Sequence, residues 1–207
     1  MSARARAAAA GQRAAARSSA FPREVRIIGG VWKRSKLPVA DRRGLRPTPD
    51  RVRETIFNWL GQSLDGLACL DLFAGSGALG FEAASRGAAR VVMVEHDRAV
   101  FDSLRHARDT IGAAQVELVL DDAFSYLGKT KDRFDVVFLD PPFRQNALPA
   151  LFRQLKVSPA ARVYVESSEP FDAGEAWREL KRARAGQVSY QLLEWRGDDQ
   201  GGLPGNV

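Results

Sequence analysis

Short apolar runs alternate with amphipathic stretches through the middle of the chain. Five runs rich in β-branched and apolar residues predict strands at Ala68–Phe73, Arg90–Glu95, Val116–Leu120, Phe134–Leu139 and Arg162–Glu166. Helical patterns between them predict helices near Ala78–Arg86, Arg98–Ile111 and Asn146–Lys156. Nearly continuous apolar strands separated by helices are typical of a parallel sheet that is covered on both faces. The pattern therefore predicts a doubly wound, Rossmann-like α/β fold with a mostly parallel sheet.

The C-terminal part of the chain departs from this alternation. Two β-rich runs, Trp177–Arg184 and Val188–Trp195, flank a turn near Ala185-Gly186. Two strands joined by a short turn predict a hairpin, which would add an antiparallel edge to the sheet. The sheet domain is therefore expected to span residues 61–197, and residues 198–207, rich in glycine and aspartate, are expected to be a frayed tail.

Residues 21–60 are expected to form a basic arm that consists of a small hairpin and a helix. The β-rich Val25–Ile28 precedes the turn signal Gly29-Gly30, and Val31-Trp32 then resumes the apolar pattern, which predicts the hairpin. Thr48 is a suitable N-cap with Pro49 at the first helical position. The helix is expected to end near residue 61, and its apolar face is formed by Val52, Ile56, Trp59 and Leu60.

Charge is distributed unevenly along the chain. Residues 1–53 contain 14 lysines and arginines against three acidic residues, whereas residues 54–207 contain 17 against 22. A basic segment on an acidic body is the electrostatic footprint expected for a polyanion such as nucleic acid. Residues 1–20, with ten alanines and four arginines, have too few large apolar side chains to fold and are expected to be a disordered tail. The candidate nucleic-acid contacts of the basic arm are Lys33, Arg34, Lys36, Arg46, Arg51 and Arg53.

The composition argues against several classes of protein. No apolar run approaches the roughly 18–20 residues that a membrane-spanning helix needs. One cysteine cannot form an internal disulfide, and one cysteine with two histidines cannot build a Cys/His zinc site. We therefore expect a cytoplasmic protein without a membrane segment or a metal site.

The first motif with chemical content follows the first strand of the alternating series. Gly75, Gly77 and Gly80 match the pattern G-x-G-x-x-G, whose glycines allow a tight turn and close approach of a ligand to the backbone. Glu95 ends the second strand, where an acid would hold the hydroxyl groups of a ribose. The pattern fits NAD and other adenosine-containing cofactors, and alone it does not choose between them.

Asp71 favours one of these cofactor classes over the other. It lies at the end of the first strand, four residues before Gly75, where a carboxylate would repel a pyrophosphate. The same carboxylate suits a cofactor that carries an α-amino group and a sulfonium. Asp122, after the third strand, would meet the adenine amino group, with Asp121 as its rival. Either aspartate is equally suited to capping a helix.

The second motif, Asp140-Pro141-Pro142-Phe143, follows the fourth strand. Ligands of doubly wound sheets lie outside the carboxyl ends of the strands, so Asp140 and Gly75 are expected to face one crevice. The prolines fix the backbone, have no N–H to donate and leave carbonyl groups free to accept. A carboxylate beside a rigid carbonyl can hold both hydrogens of an exocyclic amine, and Phe143 can stack on the attached ring. The motif therefore predicts an amino nitrogen as acceptor.

Together the motifs resemble a known family. Asp71–Gly77 with Asp140–Phe143 resembles the class I S-adenosylmethionine-dependent methyltransferases that act on an amino nitrogen. More narrowly, Arg26–Gly30, Leu45–Thr48 and Asp50–Leu60 resemble the RsmD family of bacterial enzymes, which methylate N2 of a guanine in 16S rRNA. The resemblance extends over residues 25–195 and also includes Tyr164–Ser167 and Ala185–Tyr190.

The resemblance implies a role for each matching residue. S-adenosylmethionine would be bound by Asp71, Phe73, Ala74, Gly75, Ser76, Gly77, Glu95 and Asp122. The target guanine would be held by Asp140, Pro141, Pro142 and Phe143. The implied partner is 16S rRNA, within small-subunit particles, and we expect a monomer that needs no metal.

The single cysteine agrees with a nitrogen acceptor. Methylation at carbon-5 of a pyrimidine needs a thiolate nucleophile, whereas Cys69 lies within a predicted buried strand and is interpreted as a core residue. Several alternatives stay open. Methyltransferases for DNA adenine N6 or for a protein glutamine use related Asx-Pro-Pro-aromatic loops. An NAD-dependent oxidoreductase shares the glycine loop, and a non-catalytic RNA-binding module could keep the fold.

Overall fold

A computed structural model describes residues 24–40, 42, 48–141 and 147–197 of the chain. The strands in this part are β1 (Glu24–Arg26), β2 (Lys36–Pro38), β3 (Ala68–Asp71), β4 (Arg90–Glu95), β5 (Val116–Leu120), β6 (Phe134–Leu139), β7 (Val157–Ser167), β8 (Trp177–Ala185) and β9 (Val188–Trp195). The helices are α1 (Asp50–Leu60), α2 (Ala78–Ser85), α3 (Arg98–Ile111), α4 (Ala123–Lys129) and α5 (Leu148–Gln154). Strands and helices therefore alternate from β3 to β7, as the apolar pattern predicts.

Seven strands form one sheet in the order β5-β4-β3-β6-β7-β9-β8, and β1 and β2 form a separate antiparallel pair. Neighbouring strands from β5 to β7 run parallel, whereas β9 runs antiparallel to both β7 and β8. The chain moves outward from β3 in one direction through β4 and β5, and in the other through β6 and β7. This arrangement confirms the predicted fold class and creates a crevice between β3 and β6.

Alternate residues of the strands face two separate cores. On one face, Cys69, Met93 and Phe138 pack with α1, α2, α3 and the N-terminal hairpin. On the other face, Leu70 and Val137 pack with α4 and α5. Successive side chains of a strand point to opposite faces. The side chain at the end of each strand therefore points to one of these two faces, and side chains at neighbouring strand ends lie together only when they point to the same face.

The N-terminal hairpin is present, but its second strand is not the predicted one. β1 pairs with β2, with Val25 opposite Leu37, whereas Val31-Trp32 lies in the intervening turn. The amide of Val31 donates to the carbonyl of Ser85 in α2 at 2.8 Å, and that of Trp32 to the Ser85 hydroxyl at 3.0 Å. The prediction for Val31-Trp32 is wrong because these residues hydrogen-bond to α2 instead of pairing with β1.

Helix α1 also begins one residue later than the sequence suggests. Its N-cap is Pro49 and not Thr48, and no side chain caps this end. Pro49 has φ −58° and ψ 146°, an extended conformation, so the first helical residue is Asp50. The predicted end near residue 61 is confirmed, because Gly61 adopts φ 97°, a left-handed conformation that glycine reaches without strain.

The apolar pattern misses α4 and the first part of β7. Helix α4 has seven residues, and its buried residues Ala123, Tyr126 and Leu127 form only a single turn of an apolar stripe. β7 begins at Val157 and not at Arg162, and Pro159 interrupts its apolar pattern. Ala160 adopts φ 56°, and the pairing of β7 with β6 shifts register between Phe134 and Val136. This irregularity hides the true start of the strand.

Candidate cofactor and acceptor site

Acidic residues lie at the carboxyl ends of the five parallel strands. Glu95 is the last residue of β4, Asp71 is the last residue of β3, and Asp140 directly follows β6. Glu166 is the penultimate residue of β7, and Asp121 directly follows β5. Neighbouring strands of a sheet are about 4.8 Å apart, so the strand order places these acids in a row along one edge.

The glycine loop connects β3 to α2, as its motif predicts. Gly75 and Gly77 have positive φ angles of 50° and 77°, and a Cβ on Gly77 would lie 2.6 Å from the Phe81 ring. A Cβ on Gly80 would lie 2.7 Å from the sulfur of Met93 in β4. These positions therefore need glycine, two for the turn and one for close packing of α2 on the sheet.

The other loop residues named by the resemblance lie in the same turn. Ala74 and Ser76 are buried, and Phe73 packs against the core on the α4 side of the sheet. The amide of Ala74 donates to the carbonyl of Val94 in β4 at 3.0 Å. The loop is thus held against β4, and its direct contacts to a cofactor stay a prediction.

Glu95 fastens the glycine loop to the end of β4. Its Oε2 accepts the amide of Gly75 at 3.0 Å, and its Oε1 accepts the amide of Asp97 at 2.7 Å. The side chain is only 7% exposed. The structure therefore places Glu95 against the glycine loop. The two backbone amides use part of the hydrogen-bonding capacity of the Glu95 carboxylate, and its contact to a ribose stays a prediction.

Asp71 is buried at the centre of the row. Its Oδ2 accepts the amide of Gly80 at 2.9 Å, so the carboxylate lies against the first turns of α2. Burial raises the pKa of Asp71 to about 7, and the nearby charge of Glu95 acts in the same direction, while hydrogen bonds from the Gly80 and Phe73 amides oppose it. A buried carboxylate in this state is stabilised by a cation, as an α-amino group or a sulfonium would provide.

Asp140 lies beside Asp71, at the end of the neighbouring strand β6. Burial raises the pKa of Asp140 well above its usual range, and the charges of Glu166 and Asp71 raise it further. Pro141, which follows it, is buried. The remaining residues of the second motif, Pro142 and Phe143, lie outside the described part of the chain.

The structure adds Glu166 to the residues predicted from sequence. Its side chain is 8% exposed, and its Oε1 accepts the hydroxyl of Tyr164 at 2.6 Å. Burial raises the pKa of Glu166, whereas this hydrogen bond lowers it. Tyr164–Ser167 is part of the family resemblance, but only the pairing of Leu139 with Val165 shows that Glu166 lies next to Asp140.

Asp121 and Asp122 both have structural partners. The Oδ1 of Asp122 accepts the amides of Phe124 and Ser125 at 2.9 and 3.2 Å and thereby caps α4. Asp121 pairs with Lys129 at 2.8 Å, and this hydrogen bond lowers the pKa of Asp121. The capping role of Asp122 is therefore visible, and its contact to adenine stays a prediction.

The candidate RNA contacts differ in exposure. Lys33, Arg34 and Arg51 are exposed on the described part of the basic arm. Lys36 is exposed as well and pairs with Glu24 at 2.9 Å. Arg46 lies outside the described residues. The hairpin and α1, which carry the described ones, pack on the same face of the sheet as α2 and α3.

Arg53 is the exception, because it is 1% exposed and cannot contact RNA. Its Nη2 donates to the carbonyl of Arg26 at 2.8 Å and to Oδ1 of Asp50 at 2.6 Å. Its Nη1 lies 3.5 Å from Oε2 of Glu82. The RNA-contact prediction for Arg53 is therefore wrong, and the residue instead joins β1, α1 and α2.

Glu82 in α2 is the acidic centre of this buried network. It is fully buried, and its two oxygens accept the amides of Ile28 and Gly29 at 2.8 Å each. Arg86 donates to Oε1 at 2.8 Å. Because α2 begins at the glycine loop, this carboxylate attaches the N-terminal hairpin directly to the helix that follows the loop.

Cys69 is fully buried in β3, as the sequence predicts, and burial raises the pKa of its thiol to about 12. A thiol in that state is not a nucleophile at neutral pH. Among the residues that the structure describes, no three His, Cys, Asp or Glu side chains are arranged to hold a metal ion. Within the same ranges, no helix is long and apolar enough to cross a membrane.

Comparison with known proteins shows the family of the chain. The family model described as "Conserved hypothetical protein 95" matches residues 25–194. The chain is 43% identical over 181 residues to "Ribosomal RNA small subunit methyltransferase D" of Haemophilus influenzae, and this alignment covers 83% of the chain and 94% of the relative. It is also 43% identical over 178 residues to the Escherichia coli protein of the same name, over 83% of this chain and 90% of the relative.

A solved structure is similar over the same share of the chain. The structure titled "Putative methyltransferase yhhF from Escherichia coli" has a TM-score of 0.77 and 40% sequence identity, and the match covers 83% of this chain and 98% of that one. Residues 25–194, which the family model matches, include the glycine loop, the row of acids and all of the basic hairpin except Glu24. The chain therefore belongs to the conserved hypothetical protein 95 family, the family of the ribosomal RNA small subunit methyltransferases D.

Proposed function

We propose that this protein transfers the methyl group of S-adenosylmethionine to the exocyclic N2 of a specific guanine in 16S rRNA. The relatives named ribosomal RNA small subunit methyltransferase D support ribosomal RNA as the substrate. The proposal includes small-subunit particles as the form in which the RNA is modified, a monomeric enzyme, and chemistry that needs no metal.

One observation carries the proposal. Asp140 lies between Asp71 and Glu166 at the carboxyl edge of the sheet, and a proline follows it at once. The residues two positions earlier in their strands, Cys69 and Phe138, share the face that α1, α2 and α3 cover, so Asp71 and Asp140 open to the same side. A cofactor group on Asp71 and an amine on Asp140 would thus be neighbours.

The residues around Asp71 fit the methyl donor. S-adenosylmethionine supplies a methyl group activated by a positively charged sulfonium. The buried Asp71 carboxylate would bind the cationic amino acid part, and the left-handed glycine turn leaves space for the ligand against the backbone. Glu95, which the Gly75 and Asp97 amides hold in place, would accept the ribose hydroxyl groups, and Asp122 is our candidate for the adenine edge.

Asp140 would act on the acceptor nitrogen. Its carboxylate and the carbonyl of the adjacent proline accept the two hydrogens of the amine, which points the nitrogen lone pair toward the methyl carbon. The nitrogen would attack the methyl carbon as the carbon–sulfur bond breaks and S-adenosylhomocysteine leaves, and the Asp140 carboxylate would stabilise the positive charge that develops on the nitrogen. The raised pKa of Asp140 makes this group a competent acceptor for the proton that the nitrogen then loses.

The basic arm would position the RNA. Lys33, Arg34 and Arg51 are exposed, and contacts from such side chains to phosphates fix the register of a nucleic acid without selecting its sequence. The target base would have to leave its stack to reach Asp140 at the sheet edge. The proposal thus divides the work between the arm, which binds the phosphate backbone, and the crevice, which binds the base.

The test is identification of the modified nucleoside. The protein is incubated with S-adenosylmethionine carrying a labelled methyl group and with small-subunit particles from cells that lack the protein, and the RNA is then digested to nucleosides. We expect label in N2-methylguanosine at one position, and less label when deproteinised 16S rRNA replaces the particles. Label in N6-methyladenosine, or labelling of adenines in DNA at a higher rate, would contradict the proposal.

A further inference from the structure

Glu166 has no role in the function described so far, although it lies directly beside the acceptor residue. β7 is the parallel neighbour of β6, with Phe138 opposite Tyr164 and Leu139 opposite Val165. The next residue along each strand is Asp140 and Glu166, respectively. Tyr164 packs in the same core as Phe138, so Glu166, two residues further on, faces the same side of the sheet as Asp140.

A core residue, Tyr164, holds the Glu166 carboxylate in place. Tyr164 is fully buried, and its ring centroid lies 6.4 Å from that of Phe138 and 6.4 Å from that of Tyr190. Its hydroxyl donates to Oε1 of Glu166 at 2.6 Å. The residues that the structure describes donate no hydrogen bond to Oε2. One oxygen is therefore fixed by the core, and the other can accept a hydrogen bond from a ligand.

The order of the strands places Glu166 on the far side of the acceptor from the cofactor. Asp71, Asp140 and Glu166 lie at the carboxyl ends of three consecutive strands, β3, β6 and β7. Two strand spacings of about 4.8 Å separate Asp71 from Glu166 across the sheet, and Glu166 lies two residues further along its strand, because Asp71 is level with Phe138 and Phe138 with Tyr164. If the cofactor is bound at Asp71 and the amine at Asp140, Glu166 lies where it can meet the edge of the ring that carries the amine.

The nucleobases differ in the atom next to their exocyclic amine. In guanine, the N2 amine is flanked by N1–H, a hydrogen-bond donor, and by N3, an acceptor. In adenine, the N6 amine is flanked by two acceptors, N1 and N7. In cytosine, the N4 amine is flanked by the acceptor N3 and by a carbon. A carboxylate next to the amine site can therefore accept a ring N–H only from guanine, and it faces an acceptor lone pair in adenine.

We propose that Glu166 is a specificity-determining residue, which accepts a hydrogen bond from N1–H of the target guanine while Asp140 holds the N2 amine. The pair of carboxylates then selects guanine and fixes the orientation of the ring, with N1 toward β7 and N3 away from it. Tyr164 is a positioning residue that acts through Glu166. This inference rests on the proposed function, because it takes guanine N2 as the methylated atom.

The test compares guanine with 2-aminopurine at the target position. 2-Aminopurine keeps the amine at C2, but its N1 is an acceptor and carries no hydrogen. After the methylated guanine has been mapped, small-subunit particles are reconstituted with 16S rRNA that contains either base at that position. Single-turnover kcat/KM is measured for the parent protein and for Glu166→Gln, whose amide can either accept from N1–H or donate to a bare N1.

We expect the parent to prefer guanine over 2-aminopurine by about 100-fold or more, as for a site built around a hydrogen bond that the analogue lacks. Glu166→Gln should lower kcat/KM on guanine by about 10–100-fold through loss of a charge-assisted hydrogen bond. It should lower kcat/KM on 2-aminopurine much less, so that the preference falls at least tenfold. Loss of structure alone would reduce both rates equally and leave the preference unchanged.

Tyr164→Phe provides a second variant that keeps the aromatic packing and removes only the hydroxyl. Its preference for guanine should lie between those of the parent and Glu166→Gln. If Glu166→Gln does not fold, the preference of Tyr164→Phe is compared with that of the parent instead. A guanine preference that equals the parental value in the variants that fold would overturn the inference. The two proposals fail separately: absence of N2-methylguanosine with the parent protein refutes the proposed function, whereas N2-methylguanosine with unchanged preference in the variants refutes only the role of Glu166.

Discussion

Replacing Asp71 with asparagine should make the unliganded protein more stable and should also remove much of its affinity for S-adenosylmethionine. The carboxylate is 3% exposed and lies near Glu95, and its pKa is about 7 instead of 3.8. In the absence of a cation, ionised Asp71 therefore lowers the free energy of unfolding. Asparagine has nearly the same shape and keeps an oxygen that can accept the Gly80 amide.

The size of the effect follows from the shift in pKa. The difference between about 7 and 3.8 corresponds to about 4 kcal/mol of destabilisation above pH 7. The asparagine side chain brings a buried NH₂ group that needs an acceptor, and an unsatisfied donor costs about 1–3 kcal/mol. We therefore expect a net gain of about 2 kcal/mol at pH 8, which raises Tm by about 4–8 °C for a chain of this size.

The sign of the pH dependence makes the prediction specific. Because the pKa of Asp71 is higher in the folded than in the unfolded protein, folding takes up a proton between pH 3.8 and about 7. The destabilisation by Asp71 is complete above pH 7 and decreases as the pH falls toward 4. The advantage of Asp71→Asn over the parent should therefore be largest at pH 8 and should be mostly lost at pH 5.

Thermal unfolding of the unliganded proteins, followed by circular dichroism at pH 8 and pH 5, measures this advantage. Asp109→Asn, an exposed aspartate at the end of α3, is the matched control and should change the free energy of unfolding by less than about 0.5 kcal/mol. Calorimetry at pH 8 should show that Asp71→Asn weakens binding of S-adenosylmethionine by about 10–100-fold. If Asp71→Asn were destabilised relative to the parent by the same amount at both pH values, or if its affinity for S-adenosylmethionine were unchanged, the reasoning would be refuted.

Three further predictions concern the cofactor and the basic arm. Affinity for S-adenosylmethionine should increase from pH 5.5 to pH 7 and then level off, because the cation binds the ionised form of Asp71; a flat calorimetric profile would contradict this. Glu82→Gln removes the buried carboxylate that Arg53 and Arg86 share and leaves Arg53 with Asp50 as its remaining anionic partner; it should cost about 3–5 kcal/mol of stability in chemical denaturation, where a change below about 1 kcal/mol would disprove the network. Replacing Lys33, Arg34 and Lys36 by alanine should reduce the salt dependence of RNA binding by about 0.7–0.9 per lost phosphate contact, and an unchanged slope would place the RNA surface elsewhere.

The elements that local patterns define well were predicted closely. The bounds of β4, β5, β6 and α3 match, because these strands are nearly continuous apolar runs and α3 has both an apolar stripe and clear termini. Asp97 caps α3 through its side chain, and Gly112 ends it at φ 66°. Helix α4 and the start of β7 escaped prediction because one is very short and the other is interrupted by Pro159.

The candidate site was predictable where it depends on strand ends. Asp71, Glu95 and Asp140 each follow an apolar strand, and the carboxyl ends of parallel strands meet at one edge, so their proximity follows from the fold. Glu166 lies at such an end too, but its place beside Asp140 depends on the register of β7, which its irregular start conceals.

The buried network of the arm could not be read from the sequence. Arg53 and Glu82 are 29 residues apart, and Glu82 accepts amides of Ile28 and Gly29 that are more than 50 residues away. Nothing local distinguishes a buried arginine from the exposed Arg51 two residues earlier, so charge counting assigned both to RNA. Tertiary packing alone decides which of them is available for a ligand.

The rate of methyl transfer by variants of Asp140 tests the central claim most directly. With saturating cofactor and small-subunit particles, single-turnover formation of N2-methylguanosine should fall by about 10²–10⁴-fold in Asp140→Ala. Asp140→Asn, which keeps an acceptor oxygen but loses the charge, should lie between the alanine variant and the parent. Cofactor affinity should change far less, since Asp71 and Glu95 would hold that ligand. Transfer by Asp140→Ala at the parental rate would contradict the account and place the acceptor site elsewhere.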